Sequence, residues 1–319
     1  MIRRIGILTS GGDAPGMNAC IRAITRQAFK YELEVFGVRN GYPGLVKGDI
    51  YKLSSYDVSE KLNRGGTFLG TARLPEFKNP EVRQIAVDQI KKQNIDAIVV
   101  IGGDGSYTGA KKLTEMGVNC IGVPGTIDND IASTDYTIGF DTALNTVVEA
   151  IDKLRDTTSS HYRCNVVEIM GRYCGDLTIY GGIASGVEDL IIPEIGFNID
   201  EVIARIEKAK SRGKNHFIIA LSELITDPIE LARIIEARTG VETRATILGH
   251  LQRGGTPTAF DRVLASRLGA YAVDLLVEGH GGCCVGIKHN KLVNFEIYDA
   301  LDLVKEDNIA LYKLCKTLS

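Results

Sequence analysis

Aspartates placed directly behind glycines, at the ends of β-branched runs, are the residues here that could handle a phosphate chain and its metal. Val99-Val100-Ile101 breaks into Gly102-Gly103-Asp104-Gly105-Ser106, and a second break, Pro124-Gly125-Thr126-Ile127-Asp128-Asn129-Asp130, brings two more acids. A strand that ends in glycine exposes bare backbone N–H groups, and the helix behind it turns its positive dipole end toward an anion. Asp104 adds a carboxylate that can reach a phosphate-bound cation. Ser10-Gly11-Gly12-Asp13 repeats the pattern near the chain start. One such turn could be only a turn; two, one of them followed by an Asp-rich loop, point to phosphate. Asp128 and Asp130 stand two apart, so on extended backbone they point the same way, and one could take the proton of an acceptor hydroxyl during phosphoryl transfer. On spacing alone a turn with local Asx-type bonds is the stronger reading of the same residues. The chain contains no G-x-x-x-x-G-K-[ST] and no proper G-x-G-x-x-G, which excludes a Walker-type NTPase and an ordinary dinucleotide-binding protein.

Positioning these groups requires strands feeding helices. The patterning predicts strands over 5–9, 34–39, 97–101, 120–123, 165–169, 190–192, 217–221 and 246–248. Helices are predicted over 18–30, 82–93, 106–116, 142–156, 176–185, 200–210, 228–238 and 260–277, and residues 285–287 with 292–295 read as a hairpin around His289-Asn290. Strands alternating with helices imply parallel sheets covered on both faces.

The bulk composition fits two such lobes in close contact. The chain has 319 residues, 44% hydrophobic and 24% charged, with 35 glycines and no tryptophan. Its formal net charge of −3 creates no global field for nucleic acid or an anionic membrane, so anionic ligands would need local arginines. The opening residues are too quickly polar for a signal peptide, and no apolar run reaches spanning length. Seven cysteines without a Cys-x-x-Cys pair suggest reduced thiols and a cytoplasmic enzyme.

Five motifs in order make the pattern specific: Leu8-Thr9-Ser10-Gly11-Gly12-Asp13-Ala14-Pro15-Gly16-Met17-Asn18, the Gly-Gly-Asp-Gly-Ser run, Pro-Gly-Thr-Ile-Asp-Asn-Asp, Met170-Gly171-Arg172, and Leu248-Gly249-His250-Leu251-Gln252-Arg253-Gly254-Gly255. Together they closely resemble bacterial ATP-dependent 6-phosphofructokinases along the whole chain. The resemblance implies two Rossmann-like α/β lobes, one formed by 1–138 plus about 251–300 and binding ATP, the other by 139–250 plus about 301–319 and binding sugar phosphate. It implies MgATP-dependent phosphorylation of fructose 6-phosphate at its C1 hydroxyl, in a cytoplasmic homotetramer.

Carried over by motif, Asp128 resembles the general base, Thr126 a neighbour of the transferring group, and Arg172 the cation that stabilises its charge. Gly12, Arg73, Leu74, Gly103, Asp104, Gly105 and Ser106 resemble the ATP contacts, with Asp104 serving Mg2+. Thr126, Ile127, Asp128, Met170, Gly171, Arg172, Glu223, His250, Leu251, Gln252 and Arg253 resemble the sugar-phosphate contacts, and Arg163 and Arg244 the pair reaching the 6-phosphate from a neighbouring subunit. Arginine forks suit a terminal phosphate through paired hydrogen bonds. Glu223 departs from the family pattern in being followed by Leu224 where the family usually has glycine, so a different loop is expected there. Arg22, Arg26, Arg155, Gly186, Glu188, Arg212 and Lys214 resemble a subunit-interface site for activating ADP and inhibitory phosphoenolpyruvate, with Ser55 and Glu60 where some members carry Arg and Asp.

Pyrophosphate-dependent relatives carry Asp in place of Gly105 and Lys in place of Gly125; glycine at both positions leaves room for a whole nucleotide and favours ATP. Three other readings are weaker. An oxidoreductase lacks its glycine fingerprint, and a lipid or NAD kinase would not need Met-Gly-Arg or Gly-His-x-Gln-Arg-Gly-Gly. A silent paralogue would be expected to lose Asp104, Asp128 or Arg172, and all three are present.

Overall fold

The computed structural model describes residues 2–319. In chain order its elements are β1 (Arg4–Thr9), α1 (Met17–Lys30), β2 (Glu34–Val38), α2 (Gly41–Lys47), β3 (Ile50–Lys52), α3 (Pro80–Lys92), β4 (Ala97–Gly102), α4 (Asp104–Glu115), β5 (Asn119–Pro124), α5 (Phe140–His161), β6 (Cys164–Ile169), α6 (Asp176–Ser185), β7 (Asp189–Ile191), α7 (Ile199–Lys210), β8 (Phe217–Ser222), α8 (Pro228–Thr239), β9 (Thr243–Ile247), α9 (Ala259–Val277), β10 (Cys283–Lys288), β11 (Lys291–Glu296), α10 (Ile297–Asp302) and α11 (Ile309–Leu318). The chain divides into two compact units, Met1–Thr142 with Arg253–Lys305, and Ala143–Gln252 with Glu306–Ser319.

The first unit holds a seven-stranded sheet in the order β11-β10-β5-β4-β1-β2-β3. Its inner strands are parallel, while β3 and β11 pair antiparallel at the two edges. β4 is buried at all six positions, as an inner parallel strand covered on both faces must be. Leu8, Ile98, Val100, Tyr107 and Leu113 pack one face of its core. The second unit is a four-stranded parallel sheet, β7-β8-β6-β9. Val166, Phe217, Ile219, Leu231 and Ile235 fill the core on one side of it.

The chain leaves β1 toward β2 on one side and enters β5 from β4 on the other, so the strand order reverses between β1 and β4. In open parallel sheets the crevice at that reversal, outside the carboxyl ends of the strands, is where ligands bind. Register aligns those ends: Thr9 pairs with Ile101, and Gly102 with Pro124.

Sequence patterning finds the long elements and misses the short ones. α2 contains Gly41, Pro43 and Gly44, which read as a turn, and β3 is a three-residue edge strand. The strand expected at 246–248 begins at Thr243, and α10 and α11 were not signalled. The hairpin is present, with left-handed His289 and Asn290 making the kind of two-residue turn that suits the strand twist. All seven cysteines are buried thiols. No helix among the described residues is long and apolar enough to cross a membrane.

Candidate active site

In the first unit three strand ends build one surface. The backbone of Ser10 is tied to Ile101, and Gly125 to Gly102, each by an N–H···O bond of 3.0 Å. The two glycine turns touch: a Cβ on Gly102 would lie 2.5 Å from the Ser10 carbonyl and 2.3 Å from Ser106 Oγ. Behind the second turn, Asp104 is the first residue of α4, exposed, where its carboxylate complements the helix dipole. Gly103 faces Thr126, with 3.7 Å from a Cβ built on Gly103 to that of Thr126. The phosphate-type cradle and the Asp128 turn are therefore neighbours.

The Asp128 turn is not extended. Asn129 is left-handed at φ +53 and 4% exposed, so the extended backbone that would align Asp128 with Asp130 is interrupted between them. The Asn129 side chain reaches beyond the turn. Its side-chain oxygen accepts from Thr137 N–H at 3.0 Å, and its amide donates to the Asp135 carbonyl at 3.4 Å. Thr137 Oγ1 in turn donates to the Thr126 carbonyl at 2.6 Å, and Asp128 N–H reaches Thr126 Oγ1 at 3.2 Å. Asparagine suits the left-handed position better than most residues.

Arg73 is exposed and Leu74 half-buried, on a segment held against the first glycine turn. Thr71 Oγ1 donates to Gly11 O, Thr9 Oγ1 to Gly70 O, and Asn18 Nδ2 to Gly65 O, at 2.8, 2.8 and 3.1 Å. Sequence reasoning gave Thr9, Asn18, Thr71 and Thr137 no role, because their partners lie 11 to 61 residues away. Arg253 falls within this unit, its guanidinium lying on Gly12, where a Cβ would stand 1.9 Å from Nη1. Arg253, matched by resemblance to the sugar-phosphate contacts, thus lies against the Gly11-Gly12 turn.

The two glycines taken to leave room for a nucleotide differ. A Cβ on Gly105 meets nothing within 4 Å. At Gly125 a Cβ would lie 2.9 Å from Ile101 Cγ2 and 3.2 Å from Met17 Cε, so that glycine is required by packing. Only Gly105 faces open space.

In the second unit the ends of β8, β6 and β9 converge. Met170-Gly171-Arg172 follows β6 in a turn with Gly171 at φ +147 and Arg172 at φ +57. The Glu223 Oε1 atom accepts both Gly171 N–H and Arg172 N–H, at 3.1 and 2.8 Å. Gln252, fully buried, accepts Met170 N–H at 3.1 Å and donates to the Gly249 carbonyl. Its amide braces the turn, while His250, Leu251 and the Arg172 side chain face solvent. Burial, then the carboxylates of Glu223 and Asp227, pushes the Glu168 carboxyl upward beside this turn. The loop after Glu223 keeps the shape that glycine would favour: Leu224 adopts φ +66 and is 67% exposed. The expected difference is carried as strain in one residue.

Arg163 and Arg244 lie at the other end of the same sheet. Arg163 precedes β6, whose first residue pairs with Thr243 beside Arg244. Both arginines bond Glu242, Arg163 at 2.7 Å, and Arg163 foremost holds the Glu242 carboxyl low. A strand of this length separates them from Arg172 by roughly 20 Å.

Among the residues matched to an effector site, Glu188 gathers Arg155 at 3.1 Å and Lys214 at 2.6 Å, and Arg155 also bonds the Ser185 and Gly186 carbonyls. Glu188, Arg212 and Lys214 line a cavity of about 570 Å3 with Arg205, Tyr312 and Lys316. Arg22 and Arg26 are in the first unit, on α1.

A family model described as phosphofructokinase matches residues 4–276. A protein of Vibrio parahaemolyticus named ATP-dependent 6-phosphofructokinase is 62% identical over 319 residues, spanning all of both chains. One of Aliivibrio fischeri with the same name is 59% identical over the same span. Among solved structures, a phosphofructokinase of Saccharomyces cerevisiae superposes with a TM-score of 0.87 at 35% identity, covering 99% of this chain and 48% of that one. A pyrophosphate-dependent phosphofructokinase of Marinobacter aquaeolei superposes at 0.84 with 22% identity, over 97% of this chain and 86% of that one, and so shares the fold.

Proposed function

This chain belongs to the phosphofructokinase family, and on that premise we propose that it is a kinase that phosphorylates fructose 6-phosphate at C1 with ATP. The observation that carries the chemistry is the nearness of Gly103 to Thr126, whose Cβ lies 3.7 Å from where a Cβ on the glycine would stand; it supports a phosphate cradle beside a turn bearing a carboxylate. In the proposed step Asp128 takes the proton of the C1 hydroxyl, the alkoxide oxygen bonds to the γ-phosphorus, and the bond to the β-phosphate oxygen breaks to release ADP. Backbone N–H groups at the start of α4 face the donor phosphates, and Arg172 compensates charge on the transferring group.

Among the described residues no group of three His, Cys, Asp or Glu stands ready to hold a metal. Mg2+ is commonly held by one or two carboxylates together with phosphate oxygens, and the exposed Asp104 at the start of α4 offers one. Asp104 would hold the ion, which would supply charge neutralisation to the phosphates.

The donor is ATP in this reading, supported by the names of relatives at about 60% identity and by the open space at Gly105. Arg163 and Arg244, a strand's length or roughly 20 Å from Arg172, are assigned to the 6-phosphate of a second copy, within the homotetramer that the family resemblance implies. The Glu188 cluster, with Arg22 and Arg26, is assigned to the effectors ADP and phosphoenolpyruvate, and the ATP requirement with seven buried thiols suits the cytoplasm.

The deciding experiment crosses ATP against pyrophosphate and fructose 6-phosphate against other sugar phosphates. Fructose 1,6-bisphosphate is expected from ATP alone, and equal turnover with pyrophosphate refutes the donor assignment.

A further inference from the structure

The Asp128 turn has a brace that neither the motifs nor the proposed roles account for. The chain between α10 and α11 is an exposed connector, with Val304 89% exposed and Leu303 43%. A lysine in such a segment ordinarily keeps its ammonium in water. Lys305 instead is half-buried and donates from Nζ to the main-chain carbonyl of Asn129. It is also the last residue of the first unit before the chain passes to the second.

That carbonyl sits between Asp128 and Asp130 and belongs to the left-handed residue that shapes the turn. The Asn129 side chain is engaged with Thr137 and Asp135, so one end of the residue is fixed from within the loop and the other by Lys305. At a residue 4% exposed, taking the Lys305 donor from this carbonyl changes the balance of bonds that orients its peptide. The peptide plane that would rotate is the one joining Asn129 to Asp130, next to the carboxylate assigned as base.

We propose that Lys305 is a positioning residue for Asp128, setting the orientation of its carboxylate by holding the Asn129 carbonyl. The inference rests on Asp128 being the base of the proposed reaction. A displacement of about 1 Å at a reacting group costs on the order of 100-fold in rate, so Lys305→Met is expected to lower kcat about 10- to 100-fold while the KM for ATP stays within about threefold. Lys305→Arg, which keeps a charged donor, should restore most of the turnover. In an Asp128→Ser background Lys305→Met should cost nothing further, because two residues acting through one group do not add.

Turnover of the intact wild-type chain comes first: if it does not phosphorylate fructose 6-phosphate with ATP, the parent reading fails and takes this one with it. With an active wild type, undiminished kcat in Lys305→Met overturns the role of Lys305 alone. So does an additive loss in the Asp128→Ser background. Should Lys305→Met not fold, Lys305→Gln reads the same comparison; if both fail to fold, the lysine holds the unit together and the proposal falls.

Discussion

Replacing Gly105 by aspartate separates the fold from the donor, because the two effects have opposite signs. A Cβ at this position meets nothing within 4 Å, and the residue is the second of α4. Gly to Asp in a helix recovers about 0.3 kcal/mol of propensity, and a carboxylate in the first turn adds about 0.3–1 kcal/mol through the dipole. The variant should therefore be more stable by roughly 0.5–1 kcal/mol, a rise of about 1–3 °C in Tm. Its effect on ATP is the reverse. A carboxylate about 4 Å from a nucleotide phosphate repels it by about 1 kcal/mol in water and about 4 kcal/mol at an effective dielectric of 20. The position is exposed, so the lower half of that range applies, and the KM for ATP should rise about 5- to 50-fold. The KM for fructose 6-phosphate should hold. Initial rates over an ATP series, with calorimetric melting of the same preparations, test both arms. An unchanged KM for ATP would mean that the nucleotide does not pass Gly105, and a Tm lowered by several degrees would mean that the space beside it is not open.

Two further outcomes concern stability. Leu224→Gly should stabilise the protein by up to about 1 kcal/mol, since it removes roughly 1–2 kcal/mol of left-handed strain against about 0.5–1 kcal/mol of added unfolded-state freedom; Leu224→Ala should give no gain, and a less stable glycine variant in a urea melt would contradict the strain. Asp261 is fully buried and accepts Gly139 N–H, Thr142 N–H and Thr142 Oγ1, yet burial lifts its carboxyl from the ordinary 3.8 to about 6. Its folded pKa lies above its unfolded one, so the native state keeps a proton that the unfolded chain releases between pH 4 and 6. Stability from this group therefore falls as pH rises through that window, by roughly 3 kcal/mol. Urea melts of wild type and Asp261→Asn from pH 4.5 to 7.5 should show their difference shrinking up to about pH 6 and level above it; a pH-independent difference would count against the assignment.

Much of the donor side was legible in the chain because its signals are local. Glycines at the ends of β-branched runs, a helix pattern behind each and an aspartate at the helix start all report dihedral angles and periods within a few residues. The parallel fold followed from strand and helix alternation. The spacing around Asp128 already favoured a turn, but the bond from Thr137 that holds it comes from eight residues on and leaves no mark in the spacing. Leu224 shows the converse: the fold imposed a glycine-like backbone on a residue whose type argued against it.

What the sequence by itself determined is the set of chemical groups and the turns that carry them, since those depend on neighbours along the chain. Tertiary structure decided the partners. Sheet order set β1, β4 and β5 side by side, so that two glycine turns and the Asp128 loop became one surface. It placed Arg163 and Arg244 at the far end of β6 from Arg172, laid Arg253 on Gly12, and spent the Glu223 carboxylate on the backbone of Arg172. It also brought Lys305 back across 176 residues to the carbonyl beside Asp128. A side chain's hydrogen-bond partner is chosen by which strands pair and in what register, and that is settled only when the whole sheet has formed.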